Sequence, residues 1–198
     1  MNIPIIAILR GLQPEEAAEI GMALVEAGIT QIEVPLNSPM PFESIGNLVK
    51  ALGEKAVMGA GTILHPDDCK RLHDVGGILA ISPHGNPRII KAAIDLNMKP
   101  IPGFFTPTEA FNCIEAGARH LKLFPGSVAT PKMVKALRAV IPSGIEIFAV
   151  GGISAANMNV WIENGANGFG IGSGLYRPGD SAEKVYKKAC TYSKYFLR

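Results

Sequence analysis

At 198 residues with 47% hydrophobic composition, the chain is sized for one domain with a substantial core. Charged residues make up 18% and the net charge is +2 without a basic run, which gives nucleic-acid binding no electrostatic footprint. No apolar run reaches the roughly 18 residues of a membrane span, and the 22 glycines and 15 prolines are spread out, as many short turns require.

The opening "MNIPIIAILRG" is apolar, lacks a basic leader and runs straight into a patterned helix, so it reads as a first strand and not a signal peptide. Strand "IPIIAILR" leads to helix "PEEAAEIGMALVEAG", and "TQIEVPL" to "PFESIGNLVKAL". The strands "AVMGAGTI", "ILAISP" and "KPIPGFF" precede the helices "PDDCKRLHDVG", "PRIIKAAIDLN" and "PTEAFNCIEAG". "HLKLFP", "EIFAVGGI" and "GFGIGSGL" precede "PKMVKALRAV", "AANMNVWIENG" and "SAEKVYKKACTYSKYF". Six of the eight helical segments open with Pro, and several close at Gly or Asn, as helix starts and stops should.

Strict alternation of eight strands and eight helices predicts a parallel sheet, and eight units close most simply into a (β/α)8 TIM barrel. With no linker or composition shift, residues 1–198 read as a single domain of α/β class. A doubly wound open sheet is the competing architecture, weakened because no glycine-rich dinucleotide loop follows the first strand. In "PKMVKALRAV", Met133, Leu137 and Val140 are expected on the covered face.

Alternation also predicts which side chains enter the barrel. In "HLKLFP", Leu121 and Leu123 face the helices, so His120, Lys122 and Phe124 face inward. In "TQIEVPL", Ile32, Val34 and Leu36 face out and Glu33 faces in. Arg10 ends its strand with the parity of Ile6 and Ile8, and Thr62 shares a face with Ala60 and Met58. Arg10, Glu33, Thr62 and Lys122 are therefore expected at the C-terminal end of the strands, where catalytic residues of such barrels gather. Each has a plainer explanation: a structural Lys122–Glu33 ion pair, an Arg10 that snorkels to water, and a Thr62 that is simply a good strand residue.

Together the set suits carbonyl chemistry. Burial and a neighbouring cation lower the pKa of a lysine, and the neutral amine can form a Schiff base with a ketone. Glu33 can move protons as base and acid, and Arg10 can grip a carboxylate with its planar fork. Gly151 and Gly152 follow the seventh strand; Gly172, Ser173 and Gly174 follow the eighth. Backbone N–H groups exposed there fit the recurring phosphate position of the barrel fold.

Elsewhere the signals are weak. Cys69, Cys113 and Cys190 are odd in number, far apart and outside any CxxC, which points to reduced thiols in the cytoplasm. His65, His73 and His84 are scattered, with no HxH or HExxH, so no metal site is expected. "SPHGN" is read as a turn more than as pocket lining, and Trp161 as packing.

The motifs "AILRG", "IEVPLNSP", "GAGT", "LKLFP" and "AVGG", in that order from about Ile5 to Tyr176, resemble the KDPG/KHG class I aldolase family. "EVPLNSP" and "FAVGG" are similar to its galactonate-type branch; the gluconate-type branch more often reads "EVTLRT" and "CPTGG". The resemblance implies a lyase that cleaves a 2-keto-3-deoxy-sugar-acid phosphate to pyruvate and an aldehyde, with no metal or cofactor. It implies Lys122 as the Schiff-base lysine and Glu33 as the proton carrier. Arg10 and Thr62 would hold the pyruvate carboxylate, and Gly151, Gly152, Gly172 and Ser173 the phosphate. It also implies a cytoplasmic homotrimer that takes small molecules, not nucleic acid or membrane, as partners. The chain departs from the family at "SPHGN" and "LFPGSV", where fine selectivity would be set. The gluconate epimer, a phosphate-binding isomerase or epimerase, and a non-catalytic sugar-phosphate sensor remain as alternatives.

Overall fold

The computed structural model describes residues 4–196. Ile3, the expected first strand residue, and both ends of the expected 1–198 domain lie outside them. The strands are β1 (Ile5–Ile8), β2 (Gln31–Pro35), β3 (Val57–Gly61), β4 (Leu79–Ile81), β5 (Lys99–Ile101), β6 (Gly103–Phe104), β7 (His120–Leu123), β8 (Glu146–Val150) and β9 (Gly168–Ile171). The helices are α1 (Ala17–Glu26), α2 (Pro41–Leu52), α3 (Asp67–Asp74), α4 (Pro87–Asp95), α5 (Pro107–Glu115), α6 (Pro131–Arg138), α7 (Met158–Glu163) and α8 (Ala182–Ser193).

All pairings are parallel, in the order β5-β4-β3-β2-β1-β9-β8-β7-β6. The expected strand "KPIPGFF" is split into β5 and β6 by Pro102, which has no N–H to give to a ladder. Its carbonyl still accepts from the Lys122 N–H at 2.8 Å, which carries the ladder across to β7. The result is a barrel of eight staves, one of them interrupted, with helices outside. The open-sheet alternative is excluded.

Alternation divides the apolar residues into two cores. Ile5, Ala7, Leu9, Ile32, Val34, Leu121, Leu123 and Phe169 face outward into the layer shared with the helices. Ile6, Ile8, Leu79, Ile81, Ile101, Phe148 and Val150 fill the barrel interior. Trp161 is buried in the outer layer, as expected of a packing residue.

The helix starts follow from local chemistry. Asn86, Thr106, Thr130 and Ser181 each accept a backbone N–H at an N-cap, and Thr106 with Glu109 forms a full capping box. Pro occupies the first turn of α2, α4, α5 and α6. One helical expectation needs correction. The buried face of α6 is Val134 and Leu137; Met133 packs at its edge, and Val140 lies past the helix end and is exposed.

Candidate active site

A cavity of about 630 Å³ opens at the C-terminal ends of the strands. All eight residues singled out from the sequence line it: Arg10, Glu33, Thr62, Lys122, Gly151, Gly152, Gly172 and Ser173. Its floor is the inner core, with Ile8, Val150 and Gly170 at the boundary.

Lys122 sits in the middle of β7, between Leu121 and Leu123, whose packing against the helices leaves its side chain nowhere to go but inward. It is 7% exposed. Its ammonium lies 4.7 Å from the centroid of the Phe124 ring, one of the residues at the mouth. Glu33 is fixed the same way, by Ile32 and Val34 turning outward in β2, and is 2% exposed. Gly61, two residues beyond Gly59, the ladder partner of Glu33, makes room for the carboxylate. A Cβ there would lie 2.1 Å from Glu33 Oε2.

The electrostatics separate this pair from a structural salt bridge. Among the described residues no ion pair joins Lys122 to Glu33. Glu33 Oε2 is buried without a hydrogen-bond partner. Burial pushes the Glu33 carboxyl up to about 7, against the pull of Lys122, Arg10 and a backbone hydrogen bond from Gly61. Burial lowers the Lys122 pKa; Glu33 opposes the shift and Arg10 adds to it. The two groups sense each other's charge without quenching it. Near neutrality the site therefore holds a carboxyl that can both give and take a proton, beside an amine that loses its own more readily than a surface lysine.

Arg10 is exposed at the rim, where its guanidinium donates to Asn37 Oδ1. Thr62 reaches the cavity by a different route from the one alternation predicts. Met58 and Ala60 face the helices, so strict parity would turn Thr62 outward too. The backbone leaves the strand at Gly61, and Thr62 adopts φ +57°, which swings it to the mouth.

On the opposite side, Gly151 and Gly152 take φ +108° and +71°, a conformation open to glycine at little cost. Among the described residues, the N–H groups of Gly151 and Ser173 have no acceptor. Two unsatisfied backbone donors at a cavity wall are suited to an anion.

Sequence reading missed Arg177 as a lining residue. "SPHGN" does make a turn, with Ser82 Oγ donating to the His84 carbonyl at 2.7 Å, yet Pro83 also faces the cavity. The signal for Arg177 was a cation four residues after the Ser173 turn.

With this geometry established, the chain can be set beside known proteins. The sequence model of the KDPG and KHG aldolases matches residues 1–187. The chain is 49% identical over 189 residues to a probable 2-dehydro-3-deoxy-6-phosphogalactonate aldolase of Rhizobium meliloti (strain 1021), covering 96% of this chain and 89% of that one. It is 45% identical over 194 residues to the 2-dehydro-3-deoxy-6-phosphogalactonate aldolase of Escherichia coli (strain K12), covering 98% and 94%. A native KDPGal structure superposes with a TM-score of 0.97 at 43% identity, over 100% of this chain and 96% of that one. A cube-shaped cage, designed by fusing symmetric oligomeric domains, contains a chain that matches with the same score and identity, over 100% of this chain and 73% of that one. The order of motifs along the strands, the barrel they build and the extent of these matches agree: the protein belongs to the KDPG and KHG aldolase family.

Proposed function

We propose that the protein cleaves 2-dehydro-3-deoxy-6-phosphogalactonate to pyruvate and glyceraldehyde 3-phosphate through a Schiff base on Lys122. The observation that carries this reading is the buried, unpaired Lys122 beside a carboxyl poised near 7.

The neutral Lys122 amine attacks C2 of the keto acid, and its proton moves to the new alkoxide. Glu33, protonated, gives its proton to the departing hydroxyl, and water leaves as the iminium forms. Glu33, now a carboxylate, takes the proton of the C4 hydroxyl. The C3–C4 bond breaks, its electron pair moves into the iminium to give an enamine, and glyceraldehyde 3-phosphate departs. Glu33 returns the proton to C3, and water hydrolyses the regenerated iminium to pyruvate and free Lys122. Arg10 and Thr62 hold the carboxylate of the pyruvate half, and Gly151, Gly152, Gly172 and Ser173 the phosphate.

The reading extends to the whole chain as one barrel domain, working as a homotrimer in the cytoplasm. Support for assembly is the oligomeric matching chain of the designed cage. Support for the compartment is that Cys69, Cys113 and Cys190 are all free thiols. Among the described residues no helix is long and apolar enough to cross a membrane.

Borohydride reduction in the presence of pyruvate, followed by peptide mass mapping, tests the chemistry. A reduced pyruvate adduct on Lys122 is the expected result; binding of pyruvate without an adduct would leave Lys122 an electrostatic group and revive an isomerase or sensor. Steady-state comparison of the two C4 epimers tests the substrate. The methyls of Val150 line the cavity and offer no hydrogen bond. Equal efficiency on the gluconate epimer would overturn the galactonate preference.

A further inference from the structure

The residues given roles so far leave one cation at the cavity unexplained. Arg177 lines it together with Gly172, Ser173 and Tyr176, at the end of the turn after β9. That turn is fixed: the N–H groups of Leu175 and Tyr176 both bond the Gly172 carbonyl, at 2.8 and 3.0 Å. The Tyr176 hydroxyl donates to Glu16 Oε1 at 2.5 Å, tying the turn to the segment just before α1.

The segment between Arg177 and α8 is held as firmly. Asp180 is 6% exposed, and its carboxylate accepts the Arg177 N–H at 3.0 Å. The same carboxylate receives the ammonium groups of Lys184, at 2.6 Å, and Lys188. Asp180 is therefore fully engaged with the backbone and two lysines of α8. Among the described residues it does not pair with the Arg177 guanidinium, and no other carboxylate does. The backbone of Arg177 is anchored while its charge is left uncompensated, beside the cavity wall that carries the unsatisfied N–H of Ser173.

We propose that Arg177 is a binding residue for the substrate's phosphate, its guanidinium completing the anion site begun by the glycine turns. A fork of N–H donors matches two phosphate oxygens, and backbone donors alone cannot supply a full positive charge. Arg10 and Arg177 then divide the work, one for each anionic end of the substrate. The inference rests on the phosphorylated sugar acid proposed above and adds the residue that makes the phosphate count.

The test compares the phosphorylated substrate with the same sugar acid lacking phosphate, in the full-length enzyme and in Arg177→Ala and Arg177→Lys. Arg177→Ala is expected to lower the preference for the phosphorylated compound in kcat/KM by about tenfold to a hundredfold, through KM, as loss of a charge-assisted pair should. Arg177→Lys recovers part of it, since the charge returns without the fork. Inorganic phosphate, as a competitive inhibitor, should weaken by a similar factor in Arg177→Ala. An unchanged preference, or an equal loss on both compounds, overturns the assignment. Pyruvate trapping on Lys122 in Arg177→Ala keeps the two proposals apart. A trapped adduct with unchanged phosphate preference sinks only the role of Arg177; failure of trapping in the parent enzyme sinks the aldolase chemistry, and phosphate inhibition still decides Arg177.

Discussion

Both ends of the barrel hold charge, and they hold it in opposite ways. At the N-terminal end, where His120 and Glu146 begin β7 and β8, the polar groups have companions. His120 Nε2 lies 3.2 Å from Glu146 Oε2. Arg138, at the end of α6, donates to the carbonyls of Gly165 and Ile145 at 2.9 and 2.7 Å and to Asn167. At the C-terminal end Glu33 Oε2 has no partner, and Lys122 has only the face of Phe124. Paired charge at a barrel end is architecture. Buried charge left unpaired is free energy stored where a substrate will use it.

Four substitutions should break or sharpen that contrast. Lys122→Ala, the most severe, is expected to reduce turnover by about a thousandfold or more and to abolish borohydride trapping. Because it removes a buried cation with no ion pair, its melting temperature should equal or exceed the parent's. Glu33→Gln should lower kcat by about a hundredfold to ten-thousandfold, while raising stability in alkaline buffer. The sign follows from the raised carboxyl: below about pH 4.5 the group is neutral folded or unfolded, and its penalty builds as pH rises from there and is complete above about 7. The rise from 4.5 to about 7 corresponds to about 3 kcal/mol, so Glu33→Gln and the parent should diverge in denaturant titrations at pH 8 and converge near pH 4. Because the free enzyme must start with Glu33 protonated, the same group should give kcat/KM an alkaline limb with a midpoint near 7, absent from the residual activity of Glu33→Gln.

Gly61→Ala should displace the Glu33 carboxylate without removing it, and cost about tenfold or more in kcat. Loss of the neutral-pH limb would show that the carboxyl has moved out of its dry site. At the other end, Glu146→Gln should cost less than about 1 kcal/mol, since its side chain is 46% exposed, and leave kinetics within about twofold. A large kinetic effect there would end the distinction between the two ends.

Period-two alternation made most of this legible in advance. It pointed Glu33 and Lys122 into the cavity because β2 and β7 are regular to their ends, and Arg10, two residues past β1, lines it too. It failed for Thr62 because the chain leaves β3 at Gly61 with a left-handed residue, which parity does not anticipate. It missed the break at Pro102, although the proline stood in view inside "KPIPGFF". Arg177 escaped for another reason. Its place depends on Asp180 being occupied by two lysines of the last helix, a tertiary arrangement that no local pattern announces.

The inner core has a consequence for the order of events. Among the described residues, Ile6, Ile81, Ile101 and Phe148 pack beneath Lys122 and Glu33 and fill the barrel below the cavity. A shaft open at both ends would let solvent reach the iminium from below; the filled floor favours water that comes in from the mouth, after the aldehyde phosphate has left it.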